Sequence, residues 1–259
     1  VGEKGDIDIR ECTTVEEFDR CVRLQREAFG LPDMELSPRR HLIVARSAGG
    51  FTLGAFDAER MVGFVLNQIA VRKSPEAGAE ETIGYSHMMA VAEEYQNRGV
   101  GARLKWAQRA RVVAEGRRYI RWTWDPAQSR NAHFNLNRLG VVVRRYAVNY
   151  YGTDYSTVTG QFGEPLGLDS DRLVAEWELD SPRVEALARG ETPGPIGAPD
   201  TSVAIPPNWG ALVREDPASA RAELLRVRAE CQTAFAAGLV CAGFERDPSK
   251  PQYLFYRDK

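Results

Sequence analysis

Apolar and polar residues alternate over Ile7-Asp8-Ile9-Arg10-Glu11-Cys12, the two-residue period of a strand with one buried face. Thr13-Thr14 with Glu16-Glu17 just behind marks a helix N-terminus, hydroxyls first and acids in the first turn. That helix carries Val15, Phe18, Val22, Leu24 and Phe29 on roughly one face and should stop near Gly30 and Pro32. Residues 33–46 show no period and read as irregular, with Pro38 and the basic run Arg39-Arg40-His41. Apolar segments at 51–56, 61–71 and 82–91 read as three strands. Asp57-Ala58-Glu59-Arg60 supplies a hairpin turn between the first two, and a polar loop around Pro75 and Gly78 joins the last two. Helical spacing resumes over 99–115, with Leu104, Ala107, Ala110, Val112 and Val113 supplying the apolar positions and Gly116 as the stop. An aromatic-rich strand at 119–124, a shorter helix at 129–139 ending on Gly140, and strands at 141–151 and 173–179 follow.

Prolines 182, 193, 195 and 199 then interleave with Gly190, Gly194 and Gly197, the composition of a linker or surface loop. The predicted organisation is a domain over 1–181, a linker over 182–201 and a carboxy-terminal extension over 202–259. In the extension, a strand at 202–205 and a long helix at 217–237 precede strands at 239–244 and 253–256. This strand-helix-hairpin order repeats that of residues 119–180, and 234–240 echoes 134–142 loosely. The segment reads as an ordinary extension packed on the core, with a degenerate duplication as the alternative.

At 259 residues and 43% hydrophobic, the chain can bury a full core, or one core and a smaller second unit. Its 27% charged residues and net charge of -2 point away from a disordered chain and from a nucleic-acid partner. No apolar run reaches the ~18 residues of a membrane span, and the opening residues do not resemble a secretory signal. The four cysteines form no CxxC pair and there are three histidines. The expectation is therefore no metal site, and buried thiols in a reducing cytoplasm.

The chemistry concentrates in His87-Met88-Met89-Ala90-Val91-Ala92-Glu93-Glu94-Tyr95-Gln96-Asn97-Arg98-Gly99-Val100-Gly101. A strand runs into a tight loop and a helix opens at the glycines. Such a turn gathers free backbone N–H groups at the positive end of a helix, where a diphosphate is well held. Gly99 and Gly101 keep side chains out of the way, and Arg98 or Arg103 can add charge. The GxGxxG spacing of a dinucleotide fold and the Gly-Lys-Ser/Thr of a P-loop are both absent.

Gln96-x-x-Gly99-x-Gly101 resembles the coenzyme A loop of the GNAT (N-acetyltransferase) superfamily. Met89-Ala90-Val91-Ala92-Glu93-Glu94-Tyr95 is similar to that family's lead-in, with Glu93 where proline is common. Asn131 and Leu139-Gly140 resemble a downstream segment, and the element order over 7–180 fits. The resemblance implies an α+β GNAT fold: a mixed, mostly antiparallel sheet flanked by helices, here with an additional carboxy-terminal α/β extension. It implies acetyl-CoA or another acyl-CoA as co-substrate. Met89, Ala90 and Val91 would hold the pantetheine arm, and the amides of Gln96, Asn97, Arg98, Gly99, Val100 and Gly101 the diphosphate. Asn131 would lie near the pantetheine or the thioester.

Amine attack on a thioester needs a base, because amines are mostly protonated at neutral pH. His87 is the candidate. Strand alternation puts it on the face of Tyr85 and Met89, and its placement resembles the base of the arylalkylamine N-acetyltransferases. Tyr85 is a second candidate, positioning a water or the amine. A core histidine and simple sheet packing are the bland readings of these two residues. The tyrosine many GNAT members carry near the sulfur is here Leu136, which leaves the general acid open among Asn135, Asn137, Tyr146, Tyr150 and Tyr151. The function expected is N-acyl transfer to a primary amine of a small metabolite such as an amino acid, with acetyl the default group and succinyl a larger option. The rivals are a non-catalytic acyl-CoA-binding or regulatory module and a protein-lysine acetyltransferase. No membrane partner is expected, and a homodimer is among the open assemblies.

Overall fold

The structure, a computed structural model, describes residues 7–29, 33–73, 78–155 and 165–258. The expected stops at Gly30 and Pro32 and the loop at Pro75 lie outside them. The chain divides into two compact units, Val1–Arg121 and Trp122–Lys259, so the division falls inside the segment expected to be one domain over 1–181.

The first unit contains β1 (Asp8–Glu11), α1 (Val15–Phe29), α2 (Arg39–Ser47), β2 (Phe51–Asp57), β3 (Arg60–Lys73), β4 (Glu80–Val91), α3 (Val100–Ala114) and the start of β5 (Tyr119–Trp124). Its strands lie in the order β1-β2-β3-β4-β5. The first three pairings are antiparallel; β4 and β5 are parallel, registered at Gly84↔Ile120 and Tyr85↔Arg121. The entry to α1 is a capping box: Glu17 N–H donates to Thr14 Oγ1 at 3.3 Å, and Glu17 Oε2 accepts from Thr13 and Thr14 N–H at 2.7 and 3.1 Å. Phe18, Cys21 and Leu24 of α1 and Leu42 and Ala45 of α2 pack with Phe56, Phe64, Leu66 and Ala90 of the sheet. On the α3 side, Gly63 lets the helix close in: a Cβ there would stand 3.1 Å from Leu104 Cδ1.

The segment 33–46 is not irregular. A short 3-10 turn (Asp33–Glu35) leads to α2, which begins after Pro38. Its only buried residues are Leu42 and Ala45, three apart, while the intervening Ile43 and Val44 are exposed. Four consecutive apolar residues hide the helical period.

The second unit contains the end of β5, α4 (Ser129–His133) running on into a π-helical turn (Phe134–Arg138), β6 (Val142–Ala147), β7 (Arg172–Glu178), α5 (Pro182–Ala188), β8 (Thr201–Ala204), α6 (Trp209–Glu215), α7 (Pro217–Ala236), β9 (Leu239–Glu245) and β10 (Gln252–Arg257). The expected linker over 182–201 opens instead with α5: Ser181 Oγ caps it by accepting from Val184 N–H, Pro182 takes the first turn, and Val184 is fully buried. Residues 191–200 carry no helix or strand.

Strand order in this unit is β5-β7-β6-β9-β10-β8. The order is symmetric: β5, α4, β6 and β7 map onto β8, α7, β9 and β10. The central pair β6–β9 is antiparallel, registered at Val143↔Cys241, as a local twofold axis requires. Gly140 (φ 74°) lies three residues before Val143, and Gly238 (φ 76°) three before Cys241. Each hairpin also carries one extra residue just after the axis, between Val143 and Tyr146 and between Cys241 and Gly243. Matching glycines and matching bulges favour the duplicated reading over an ordinary extension.

Candidate active site

On β4 the register with β3 runs Gln68↔Tyr85, Asn67↔Ser86, then Leu66↔Met88. His87 is therefore the extra residue of a β-bulge. A bulge breaks alternation, because two neighbouring residues then share one face. Ser86 turns toward α3, where its hydroxyl accepts from Lys105 Nζ at 2.8 Å. His87 turns the other way, toward α2, and Met88 packs into the α1–α2 core beside Ala90. Met89 and Val91 come back to the α3 side, against Gly101. The expectation that His87 and Met89 share a face is corrected by this bulge; Tyr85 does lie on the His87 side.

Around His87 the first unit brings together groups distant in sequence. His87 Nε2 lies 3.4 Å from Ser37 Oγ. The His41 and His87 rings meet edge to face, centroids 5.0 Å apart, and Gln68 Nε2 is 2.7 Å from His41 Nε2. Gln25, fully buried in α1, fixes Ser37 by accepting from its N–H at 2.8 Å and donating to its carbonyl at 3.1 Å. Desolvation, and then the charge of His41, push the His87 pKa down to about 4. The side chain keeps access to solvent, and the lowered pKa favours a neutral imidazole at neutral pH, able to accept a proton. Tyr85 is half-buried two residues earlier.

The loop after β4 begins with a 3-10 turn (Glu93–Tyr95). Tyr95 Oη donates to Asp57 Oδ2 at 2.6 Å, and the Arg98 guanidinium stands 5.5 Å from the Tyr95 ring centroid. Gln96 works within the loop: its amide donates to Glu93 O at 3.1 Å and its side chain to Val91 O at 3.1 Å. The Gln96 amide expected to hold diphosphate is thus already used. Asn97 (φ 60°) and Gly99 (φ 83°) both adopt left-handed backbone, the second suiting only glycine comfortably. Gly99 is the N-cap of α3 and no side chain caps the helix. The first intrahelical bond recorded is Arg103 N–H to Gly99 O at 3.0 Å, so the N–H groups of Val100, Gly101 and Ala102 belong to the orphan first turn. A Cβ on Gly99 would meet nothing within 4 Å, and one on Gly101 would stand 3.4 Å from Met89 Cε. Open space and uncapped donors fit the diphosphate of an acyl-CoA. Arg103 reaches back to the Ile7 carbonyl.

In the second unit, Asn131 is an exposed residue of α4, and Leu136 is fully buried. Asn137 is occupied, exchanging hydrogen bonds with the Phe244 backbone at 2.9 and 3.0 Å. Tyr146 donates to Asp171 Oδ2 at 2.7 Å, and burial pushes its pKa far up. Of the acid candidates, Asn137 and Tyr146 are committed to structure. Sequence reasoning missed Gln25, Ser37, Gln68 and Lys105. Only His41 carried a signal, in its basic run. Among the described residues no group of three or more His, Cys, Asp or Glu could hold a metal, no helix is long and apolar enough to cross a membrane, and all four cysteines are buried free thiols.

The antiparallel meander, the bulged β4 and the uncapped glycine start of α3 define an acyl-CoA-type strand–loop–helix. Residues 15–140 match the Acetyltransferase (GNAT) family, and the chain belongs to the GNAT superfamily through that domain. A search among curated proteins finds no sequence relative. Among solved structures, a candidate GNAT-family acetyltransferase from Desulfovibrio desulfuricans aligns with TM-score 0.52 and 15% identity, covering 67% of this chain and 99% of that one. The ribosomal-protein-S18-alanine N-acetyltransferase of Escherichia coli aligns at 0.51 and 13%, covering 68% and 96%. Arabidopsis thaliana NAA60, in complex with a bisubstrate analogue, aligns at 0.50 and 16%, covering 66% and 98%. At these identities the likeness is one of fold.

Proposed function

We propose that this protein transfers an acyl group from acyl-CoA to a primary amine of a small metabolite such as an amino acid. Acetyl is the default group and succinyl the larger alternative. The observation that carries the reading is His87, extruded by a bulge toward Ser37 and His41, ten residues upstream of the left-handed loop and twelve before the cap of α3 at Gly99. Donor-binding backbone and proton acceptor thus sit on one continuous strand–loop–helix. The acyl-CoA supplies the activated carbonyl. In this reading the N–H groups of Val100 and Gly101 hold its diphosphate, while Asn97, Arg98 and Gly99 shape the turn that presents them. Met89, Ala90 and Val91 offer strand backbone to the pantetheine arm, and Asn131 is assigned to the same arm by resemblance. Gln96 is assigned to holding the turn.

His87 takes the proton that the acceptor amine must lose. A low-pKa imidazole is a weaker base than usual, but it is unprotonated at every turnover near pH 7. The start of α2 borders His87 through the His41 ring, and there Arg40 suits an acceptor carrying a carboxylate, while Arg39 is paired with Asp19 at 3.0 Å. Tyr85 is proposed to orient the amine or a water. With Leu136 buried and aliphatic, the thiolate leaves without a proton from that position.

The test is steady-state thiol release from acetyl-CoA and succinyl-CoA across a panel of amino acids. His87→Ala should lower kcat by ~10²- to 10⁴-fold with little change in coenzyme A affinity. Equal kcat in the variant removes His87 from the reaction. Saturable coenzyme A binding with no turnover on any amine would favour the non-catalytic module.

A further inference from the structure

The bulge that extrudes His87 coincides with an unusual buried assembly on the opposite face. Lys105 of α3 is 3% exposed, Ser86 5%, and Gln108 and Asn67 0%. Lys105 Nζ donates to Ser86 Oγ at 2.8 Å and to Gln108 Oε1 at 3.1 Å. Gln108 Nε2 donates to Asn67 Oδ1 at 2.9 Å, and Asn67 Nδ2 to Gln68 O at 3.1 Å. Asn67 and Ser86 are cross-strand partners, and theirs is the last registered pair before the bulge. The three-bond path Ser86–Lys105–Gln108–Asn67 therefore staples both strands to α3 at the point where β4 gains its extra residue.

Burying a lysine is costly unless its donors are satisfied, and burial here pushes the Lys105 amine well below its ordinary pKa. An apolar side chain would fill the same space more cheaply. What an apolar residue cannot do is choose between registers. Moving β4 by one residue would exchange Ser86 and His87 between faces. That would leave Lys105 facing an imidazole and take the ring away from Ser37 and His41.

We propose that Lys105 is a positioning residue for the acyl transfer: with Gln108 and Asn67 it grips Ser86 and so locks the β4 bulge in the register that points His87 at His41 and Ser37. This rests on the proposed role of His87 for its catalytic consequence, but the lock itself is read independently of turnover.

The chain has three histidines, His41, His87 and His133, so imidazole titrations followed by NMR are resolvable. The groups facing His87 are His41 of α2 and Ser37 before it, with Tyr85 two residues earlier on its own strand. The variants are Lys105→Met, which keeps length and removes the donors, and Ser86→Ala, a milder break should the first not fold. In both, the His87 midpoint should rise from about 4 toward an ordinary imidazole value, with His133 unmoved. Turnover should fall about 10- to 100-fold, the scale of a misplaced catalytic group, while coenzyme A affinity holds within about twofold. A folded variant whose His87 midpoint stays near its wild-type value overturns the lock. So does parallel movement of all three histidines with loss of coenzyme A binding, which is general loosening. If the wild type shows no transferase activity, the proposed function fails while the His87 titration still decides the lock.

Discussion

His87, the proposed base, offers a measurable proton equilibrium. In the unfolded chain an imidazole titrates near ~6.5; in the fold, desolvation and His41 bring it down to about 4. Between those values the unfolded chain binds more protons, so stability rises with pH across the window and is lost as pH falls through it. Thermal unfolding at stepped pH should show the midpoint dropping between roughly pH 6.5 and pH 4. His87→Gln should flatten part of that slope, and an unchanged slope would mean that His87 is not held neutral. As a candidate base His87 was legible in the sequence, from its place four residues before Val91. Its surroundings were not, because Ser37 and His41 reach it from the turn after α1 and from α2, and Gln25 of α1 and Gln68 of β3 hold those two in turn. The facing of Met89 was misread for a local reason, since one inserted residue inverts a strand's alternation and leaves no mark in composition. Lys105 was invisible for the opposite reason: a lysine at a helical position reads as a solvated one.

At the scale of elements, the Thr14/Glu17 box fixed the start of α1. Gly99 and Gly116 bounded α3, whose expected apolar positions Ala110 and Val113 are exposed while Lys105 and Gln108 are buried. Periodicity marked the strands. It failed where apolar residues ran together, at α2, and where proline and glycine were dense, at α5. The short α4 gained its support from far along the chain. Trp124 Nε1 donates to Tyr253 Oη at 3.2 Å, and Tyr253 Oη donates to Pro126 O at 2.8 Å. Asp125 Oδ1 accepts from Ala127 N–H at 2.9 Å, and Ala127 packs with Trp209, Val213 and Leu224 of α6 and α7. At the other end, Asn137 is bonded to β9. Loop 125–128 and the helix bearing Asn131 are thus held by β9, β10, α6 and α7. Tyr253→Phe removes two buried hydrogen bonds while keeping the ring, leaving the Trp124 N–H and Pro126 carbonyl unsatisfied. Denaturant unfolding should show a loss of ~1–3 kcal/mol. No loss would mean that the hydroxyl clamp contributes nothing to holding this loop.

For the whole molecule, the carboxy-terminal extension belongs to the second unit rather than forming a third part. The second unit runs from Trp122 to the end, and its repeated halves meet at Val143↔Cys241. The sequence hinted at this in the echo of 134–142 by 234–240. The two halves share few side chains and differ in helix length, while Gly140 and Gly238 share a left-handed backbone. Most of the element order of a GNAT domain was readable, α2 excepted, because its meander and glycine-started helix depend on local patterning. The acceptor was not, because it depends on side chains that only tertiary folding assembles. Donor binding at the start of α3 is the most direct consequence of the proposed function. Calorimetric titration of the full chain with coenzyme A, acetyl-CoA and succinyl-CoA should give saturable binding, with the acyl preference read from the difference between the two thioesters. Absence of binding to all three would contradict the acyl-CoA reading and leave a GNAT scaffold with another role.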